Sequence, residues 1–143
     1  MMEKYISLWD KSAEESDYDG GLETTRTADV IVVGGGFTGL STAYHGATLG
    51  LDIHVLEANK IGYGGSGRNT GLVNAGLWLP PQDVEKHLGP MNGANLIETL
   101  GKMPEYVFSL IEKHQIQCEA TQNGTIHAAH SPAGLRNLEG RAK

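Results

Sequence analysis

Val30-Ile31-Val32-Val33 is an unbroken run of stiff, β-branched side chains, a composition that predicts a strand buried on both faces. The run ends in Gly34-Gly35-Gly36-Phe37-Thr38-Gly39. After it, Leu40, Ala43, Tyr44 and Ala47 recur at helical spacing, and Gly50 supplies the stop. Ile53, Val55 and Leu56 then predict a second strand, which runs into Glu57. The order is strand, glycine turn, helix, strand, acid.

Further along the pattern turns helical. Residues 82–88 predict a short helix with Pro81 near its start. From 92 to 114 a long helix is expected: Leu96, Ile97, Leu100, Met103, Val107, Leu110 and Ile111 form a stripe at spacings of three and four, read as core packing. Pro104 removes one hydrogen bond and predicts a kink just before it. Residues 117–121 and 125–129 flank Gln122-Asn123-Gly124, and Asn-Gly between short apolar runs predicts a β-hairpin. Ser131 should cap a last helix that has Pro132 at its first position and Leu135 and Leu138 on its apolar face. Ahead of the first strand, Tyr5, Leu8 and Trp9 precede an acidic, polar stretch without periodicity. Residues 1–28 therefore read as an arm, part of which docks so as to shelter Trp9.

The first turn carries the clearest chemistry. It fits G-x-G-x-x-G, lies between a predicted strand and helix, and Glu57 follows Gly39 by 18 residues. In a dinucleotide site Gly34 permits the tight turn, Gly36 lets the backbone approach a pyrophosphate, and Gly39 lets helix and strand pack closely. The free N–H groups and positive end of the helix favour the diphosphate. Glu57 would accept hydrogen bonds from a ribose diol and would repel a 2′-phosphate, which disfavours NADP. The bland alternative is a glycine-rich turn with no ligand.

Glycine sharpens this picture. Twelve of the 20 glycines lie between Gly34 and Gly76. A second cluster, Gly62-Tyr63-Gly64-Gly65-Ser66-Gly67-Arg68-Asn69-Thr70-Gly71, follows directly on the nucleotide acid. A flexible linker would account for its glycines. It would not require Arg68 beside Asn69, whereas a loop of N–H groups and hydroxyls that meets the rest of a large cofactor would use them.

With these two clusters, V-G-G-G-F-T-G-L-S, L-E-A and I-G-Y-G-G-S-G-R-N-T-G, the chain resembles the FAD-dependent amine and amino-acid oxidase superfamily. Its S-G-R-N-x-G loop is most similar to the gamma-glutamylputrescine oxidoreductase branch. Ser7-Leu8-Trp9 and His114-Gln115-Ile116-Gln117-Cys118 also resemble that branch. The resemblance implies FAD as cofactor, with Gly34, Gly36 and Gly39 at the pyrophosphate turn and Phe37 and Thr38 offering backbone N–H groups. It places Glu57 on the adenosine ribose with Ala58 beside it. It sets Gly65, Ser66, Arg68, Asn69, Gly71 and Leu72 in a loop beneath the flavin phosphate and ring; Thr70 stands where glycine or alanine would be expected.

The implied fold is α/β, the N-terminal part of a Rossmann-like FAD/NAD(P)-binding domain with the start of a substrate-domain sheet. The expected divisions are an arm at 1–28, a partial FAD-binding domain at 29–115, and the start of a substrate-binding domain at 116–143. The implied activity is oxidation of the CH–NH group of a small-molecule amine or amino acid, with a gamma-glutamylputrescine-like substrate. The competing class is a non-catalytic or truncated nucleotide-binding module; the first turn alone does not separate FAD from NAD, but the Gly62–Gly71 loop favours FAD.

The remaining features bound the reading. A net charge of −6 gives no expectation of nucleic-acid binding. No run of 18 apolar residues predicts a membrane span, and the N-terminus has no apolar segment of a secretory signal. The single cysteine, Cys118, excludes an internal disulfide framework and is expected to be a small buried apolar group on a strand. A cytoplasmic location is the default. His127 and His130 lack a third neighbouring ligand, so no metal site is expected. With only two good parallel strands, the chain reads as the front part of a longer polypeptide.

Overall fold

The run at 30–33 does form a strand, β1 (Val30–Val33), and it pairs in parallel with β2 (Ile53–Leu56). The register sets Val30 opposite Ile53 and Val33 opposite Leu56. These features come from a computed structural model, which describes residues 6–13, 20–77 and 79–141. Tyr5, residues 14–19 of the acidic stretch, Trp78 and the terminal Ala142-Lys143 lie outside the described residues. The chain divides into two units, Met1–Gly71 and Leu72–Lys143.

In the first unit, α1 (Leu8–Ser12) opens with a capping box. Ser7 Oγ accepts from the Asp10 N–H at 3.1 Å, and the Asp10 carboxylate accepts from the Ser7 N–H at 2.8 Å. The crossover helix α2 (Phe37–Thr48) starts at Gly36 and ends at Leu49, with Gly50 just beyond at φ +86°. Two glycines set how closely α2 lies on the sheet. A Cβ on Gly39 would stand 1.9 Å from the Gly34 carbonyl oxygen, and one on Gly46 would stand 2.1 Å from Ile53 Cδ1.

The strand is not buried on both faces as its composition suggested. Val30 and Val32 lie half-buried toward α2, while Ile31 and Val33 are 59% and 85% exposed. A doubly covered strand needs a layer on each side. Among the described residues, α2 is the helix that packs on β1 and β2.

In the second unit, α3 (Pro81–Leu88) and α4 (Pro90–His114) pack together across Gly89, whose φ is +79°. Gly93 permits the approach, since a Cβ there would fall 2.5 Å from Glu85 Cα. Val84, 4% exposed, is the buried hydrophobic side chain among the described residues. The expected stripe on α4 is half-buried rather than a closed core, with Met103 37% exposed. The helix runs on through Pro104 without a break. Gln115, left-handed at φ 51°, ends it. Ser131 Oγ accepts from the Gly134 N–H at 3.1 Å and caps α5 (Pro132–Arg141), as its sequence predicts.

The hairpin expected around Asn123-Gly124 does not form. Residues 117–129 contain no strand, Ile126 is 95% exposed, and Gly124 keeps only its turn conformation at φ +79°. An isolated two-stranded hairpin is marginal without a further layer to bury its apolar face. Cys118 accordingly lies exposed in an irregular segment rather than buried on a strand. Among the described residues, no helix is long and apolar enough to cross a membrane.

Candidate functional site

The site is built where β1 hands over to α2. Gly34 adopts φ +106°, a conformation that favours glycine, and turns the chain out of the strand. Its N–H still bonds to the Leu56 carbonyl at 2.8 Å, so the turn begins at the very end of the sheet. Gly36 caps α2 with extended backbone and no side chain. Of the four N–H groups that a helix start leaves unpaired, the Phe37 N–H donates to Ser66 Oγ at 2.9 Å. Those of Gly36, Thr38 and Gly39 have no acceptor among the described residues.

Glu57 leaves β2 half-buried and reaches back to this turn. Its Oε2 accepts from the Gly35 N–H at 2.7 Å and its Oε1 from the Asn59 N–H at 3.0 Å. The Gly35 N–H, then that of Asn59, hold the carboxyl below its ordinary value of 4.5, against a smaller opposing effect of burial. Each carboxylate oxygen has capacity for a further donor, which is what a ribose diol would supply.

The second glycine cluster folds onto the first. The Gly62 N–H donates to the Gly35 carbonyl at 2.9 Å, beside the Ser66–Phe37 bond. Gly62 is at φ +72°, and the loop then curls through a short 3-10 turn at Gly65–Gly67. A Cβ on Gly67 would lie 2.2 Å from the Gly62 oxygen, so the curl closes tightly on itself. Arg68 stacks on the Tyr63 ring with 4.7 Å from its guanidinium carbon to the ring centroid. The Asn69 side chain donates to the Ser66 carbonyl and accepts from the Gly71 N–H at 2.7 Å, fixing the last turn.

The structure thus brings together Gly34, Gly36, Phe37, Gly39, Glu57 and Ser66. Thr38 and Ala58 are exposed neighbours, and Gly65, Arg68, Asn69 and Gly71 form the loop itself. Leu72 begins the second unit and is 66% exposed. Sequence reasoning passed over Gly35, Ile61, Gly62 and Gly67. Gly35 is buried, and a Cβ on it would lie 2.6 Å from Ile61 Cδ1. The signal was present in the middle one of three consecutive glycines and in the apolar Ile61 that precedes the second cluster.

The arrangement suits a large anion with a sugar attached. Three free N–H groups lie at the positive end of a 12-residue helix, and the N-cap Gly36 has no side chain to fill the approach. A carboxylate with spare lone pairs, that of Glu57, is bonded to the Gly35 N–H directly before the N-cap. Among the described residues, no group of three or more His, Cys, Asp or Glu side chains is placed to hold a metal ion.

Comparison with known proteins agrees with this chemistry. Residues 29–143 match the family model described as FAD dependent oxidoreductase. Gamma-glutamylputrescine oxidoreductase of Escherichia coli is 36% identical over 139 residues, covering 97% of this chain and 32% of that protein. Probable oxidoreductase OrdL of Rhizobium meliloti is 35% identical over 95 residues, 66% of this chain and 22% of that protein. Alpha-glycerophosphate oxidase of Streptococcus pneumoniae is 41% identical over 61 residues, 42% of this chain and 10% of that protein. The chain spans about a third or less of the length of these relatives. No solved structure matches it.

Proposed function

The chain belongs to the FAD dependent oxidoreductase family, and on that premise we propose that it grips FAD for the oxidation of a CH–NH group in a small amine or amino acid. A gamma-glutamylputrescine-like substrate is the specific proposal, supported by the Escherichia coli relative that aligns with 97% of the chain. In this reading the N–H groups of Gly36, Thr38 and Gly39 hold the diphosphate. Glu57 accepts from the adenosine ribose while also fixing Gly35. The loop from Gly65 to Gly71 supports the flavin side. Bound FAD would supply the acceptor for a hydride from the carbon next to nitrogen.

The observation that carries the proposal is the docking of the second glycine loop onto the first turn through Ser66 and Gly62. A turn that served NAD alone would need no such loop. Equilibrium dialysis of the chain against FAD and against NAD tests it. Retained yellow flavin with little NAD is expected; NAD held as tightly as FAD, or a colourless protein at millimolar FAD, would overturn it. The cytoplasmic setting is proposed on the lone cysteine and the acidic composition.

Glu57→Ala should weaken FAD binding roughly tenfold or more, the scale for losing a hydrogen bond to a charged group. The pH dependence has a definite sign. The carboxyl's folded pKa lies below 4.5, so its contribution is complete above that value and lost as pH falls through the lowered one. FAD titrations from pH 7 down to pH 3 should show wild-type affinity falling only at the acid end. Unchanged affinity in the Glu57→Ala variant would remove Glu57 from the ribose contact.

A second reading, a nucleotide-binding module without catalysis, is favoured for residues 1–143 by the exposed face of β1 and the open end of α2. On either reading these residues alone should give no turnover, because closing water out of a site requires walls on every side. Peroxide and dye-acceptor assays with gamma-glutamylputrescine check this. Turnover at the rate of a full-length relative would show that these residues form a complete enzyme.

A further inference from the structure

The arm ahead of β1 has no part in the dinucleotide motif, yet it is tied to the second glycine loop at two places. At the loop's start, the Lys60 ammonium bonds to Asp10 Oδ1. At its end, Trp9 Nε1–H donates to the Asn69 carbonyl at 2.8 Å. Both anchors come from successive residues on the first turn of α1. That turn is held rigid by the capping box, which engages the other oxygen of Asp10.

The Trp9 indole also lies against Gly71. A Cβ there would stand 3.1 Å from Trp9 Cζ2, and the residue's φ of +72° suits glycine independently. Glycine at 71 therefore lets the indole close on the loop while the backbone turns beneath it. From Trp9 an unbroken line of bonds leads inward. Asn69 binds the Ser66 carbonyl, and Ser66 Oγ accepts from the Phe37 N–H at the start of α2. The arm thus reaches the helix N-terminus through two residues, Asn69 and Ser66.

We propose that Ser7–Ser12 is a clasp on the second glycine loop, with Trp9 as a positioning residue that acts through Asn69 and Ser66 to set the flavin side of the FAD site. This rests on the proposed FAD reading. Removing the clasp should leave β1, α2 and β2 intact while the loop from Gly65 to Gly71 loses its fixed geometry. Lys60→Met releases the loop's start, and Trp9→Phe keeps an aromatic ring against Gly71 but deletes the donor to Asn69.

Hydrogen exchange on the ligand-free chain tests the clasp itself. The Arg68 and Gly71 N–H groups, bonded to the Gly65 carbonyl and to Asn69 Oδ1, should exchange roughly tenfold faster in Trp9→Phe and faster still in Trp9→Ala. The β1–β2 amides should be unchanged, and Trp9→Phe decides the matter if Trp9→Ala fails to fold. FAD titration with visible circular dichroism of the bound flavin tests the consequence. Both Trp9 variants should bind about 5–10-fold more weakly, with an altered flavin band. Unchanged loop exchange in Trp9→Phe overturns the clasp even if FAD binds normally. Faster exchange with unchanged affinity and flavin band overturns the positioning role. A wild-type chain that takes up no FAD defeats the FAD reading and with it that positioning role, while the exchange data still decide whether the arm holds the loop.

Discussion

Gly39→Ala should leave the chain without a cooperatively folded first unit. The added Cβ would lie 1.9 Å from the Gly34 carbonyl oxygen and 3.2 Å from Val32 Cγ1. The first of these is a backbone atom, fixed by the bond from the Gly34 N–H to the Leu56 carbonyl. No rotamer change relieves such a contact. Either α2 lifts from the sheet or the turn at Gly34 opens, and both movements undo the only βαβ packing present among the described residues. Ordinary overpacking costs about 1–3 kcal/mol and occasionally more, and a clash with backbone belongs at or above the top of that range. Since whole domains are stable by only about 5–15 kcal/mol, a thermal melt by circular dichroism should show most of the helical signal of α2 lost at room temperature. A melt that overlays the wild type would mean that the helix sits farther from β1 than described.

Gly36→Val should abolish FAD retention for a different reason. Gly36 has φ −88° and ψ −176°, extended backbone that any residue adopts. Its glycine is therefore required by space and not by conformation. A Cβ there would approach Ser66 Oγ to 2.9 Å. It would push Ser66 off the Phe37 N–H, and the two methyl groups would occupy the approach to the free N–H groups of α2. The second glycine loop would be displaced and the diphosphate cradle filled in one substitution. A loss of at least about 100-fold in affinity is expected, the sum of a displaced hydrogen bond and a blocked anion site. Flavin recovered at wild-type stoichiometry after gel filtration would contradict it. Gly36→Ala, with the same close approach but no branches, should lose less.

These two glycines also show what was legible in the sequence. The run of β-branched residues, the glycine turn, the helical spacing after it and the acid at the end of the second strand each depend on local geometry. The βαβ unit could accordingly be placed to within a residue or two, with Gly34 at the turn and Gly39 at the close helix–strand contact. The capped helix at Pro132 was equally local. What failed depends on layers. Val30–Val33 has the composition of a doubly covered strand, but coverage belongs to whatever lies above and below it, and Ile31 and Val33 are bare. Asn123-Gly124 is a turn in its own right, yet two strands on either side need a third surface before they pair. The reach of Glu57 to Gly35, of Ser66 to Phe37 and of Trp9 to Asn69 spans 22, 29 and 60 residues. No periodicity encodes contacts of that separation. The glycine spacing showed only that two backbones come close, and Trp9 only that an indole needs shelter.

Val84 has a thermodynamic meaning beyond its place between α3 and α4. A 143-residue chain with ordinary packing gains about 1.7–2.1 kcal/mol/K of heat capacity on unfolding, mostly from newly hydrated apolar surface. Here a single hydrophobic side chain among the described residues is buried, while Val33 and many leucines and isoleucines of both units are exposed and the rest only half-buried. Unfolding therefore uncovers less apolar surface than in an ordinarily packed chain of this length, so the heat-capacity step falls below that range and the stability curve is flatter. With less stability generated by its own interior, the chain would gain proportionately more by mass action from a ligand that occupies the folded state, in the amount RT ln(1 + [L]/Kd). On the proposed FAD reading, the cofactor concentration around the protein would then add to its persistence.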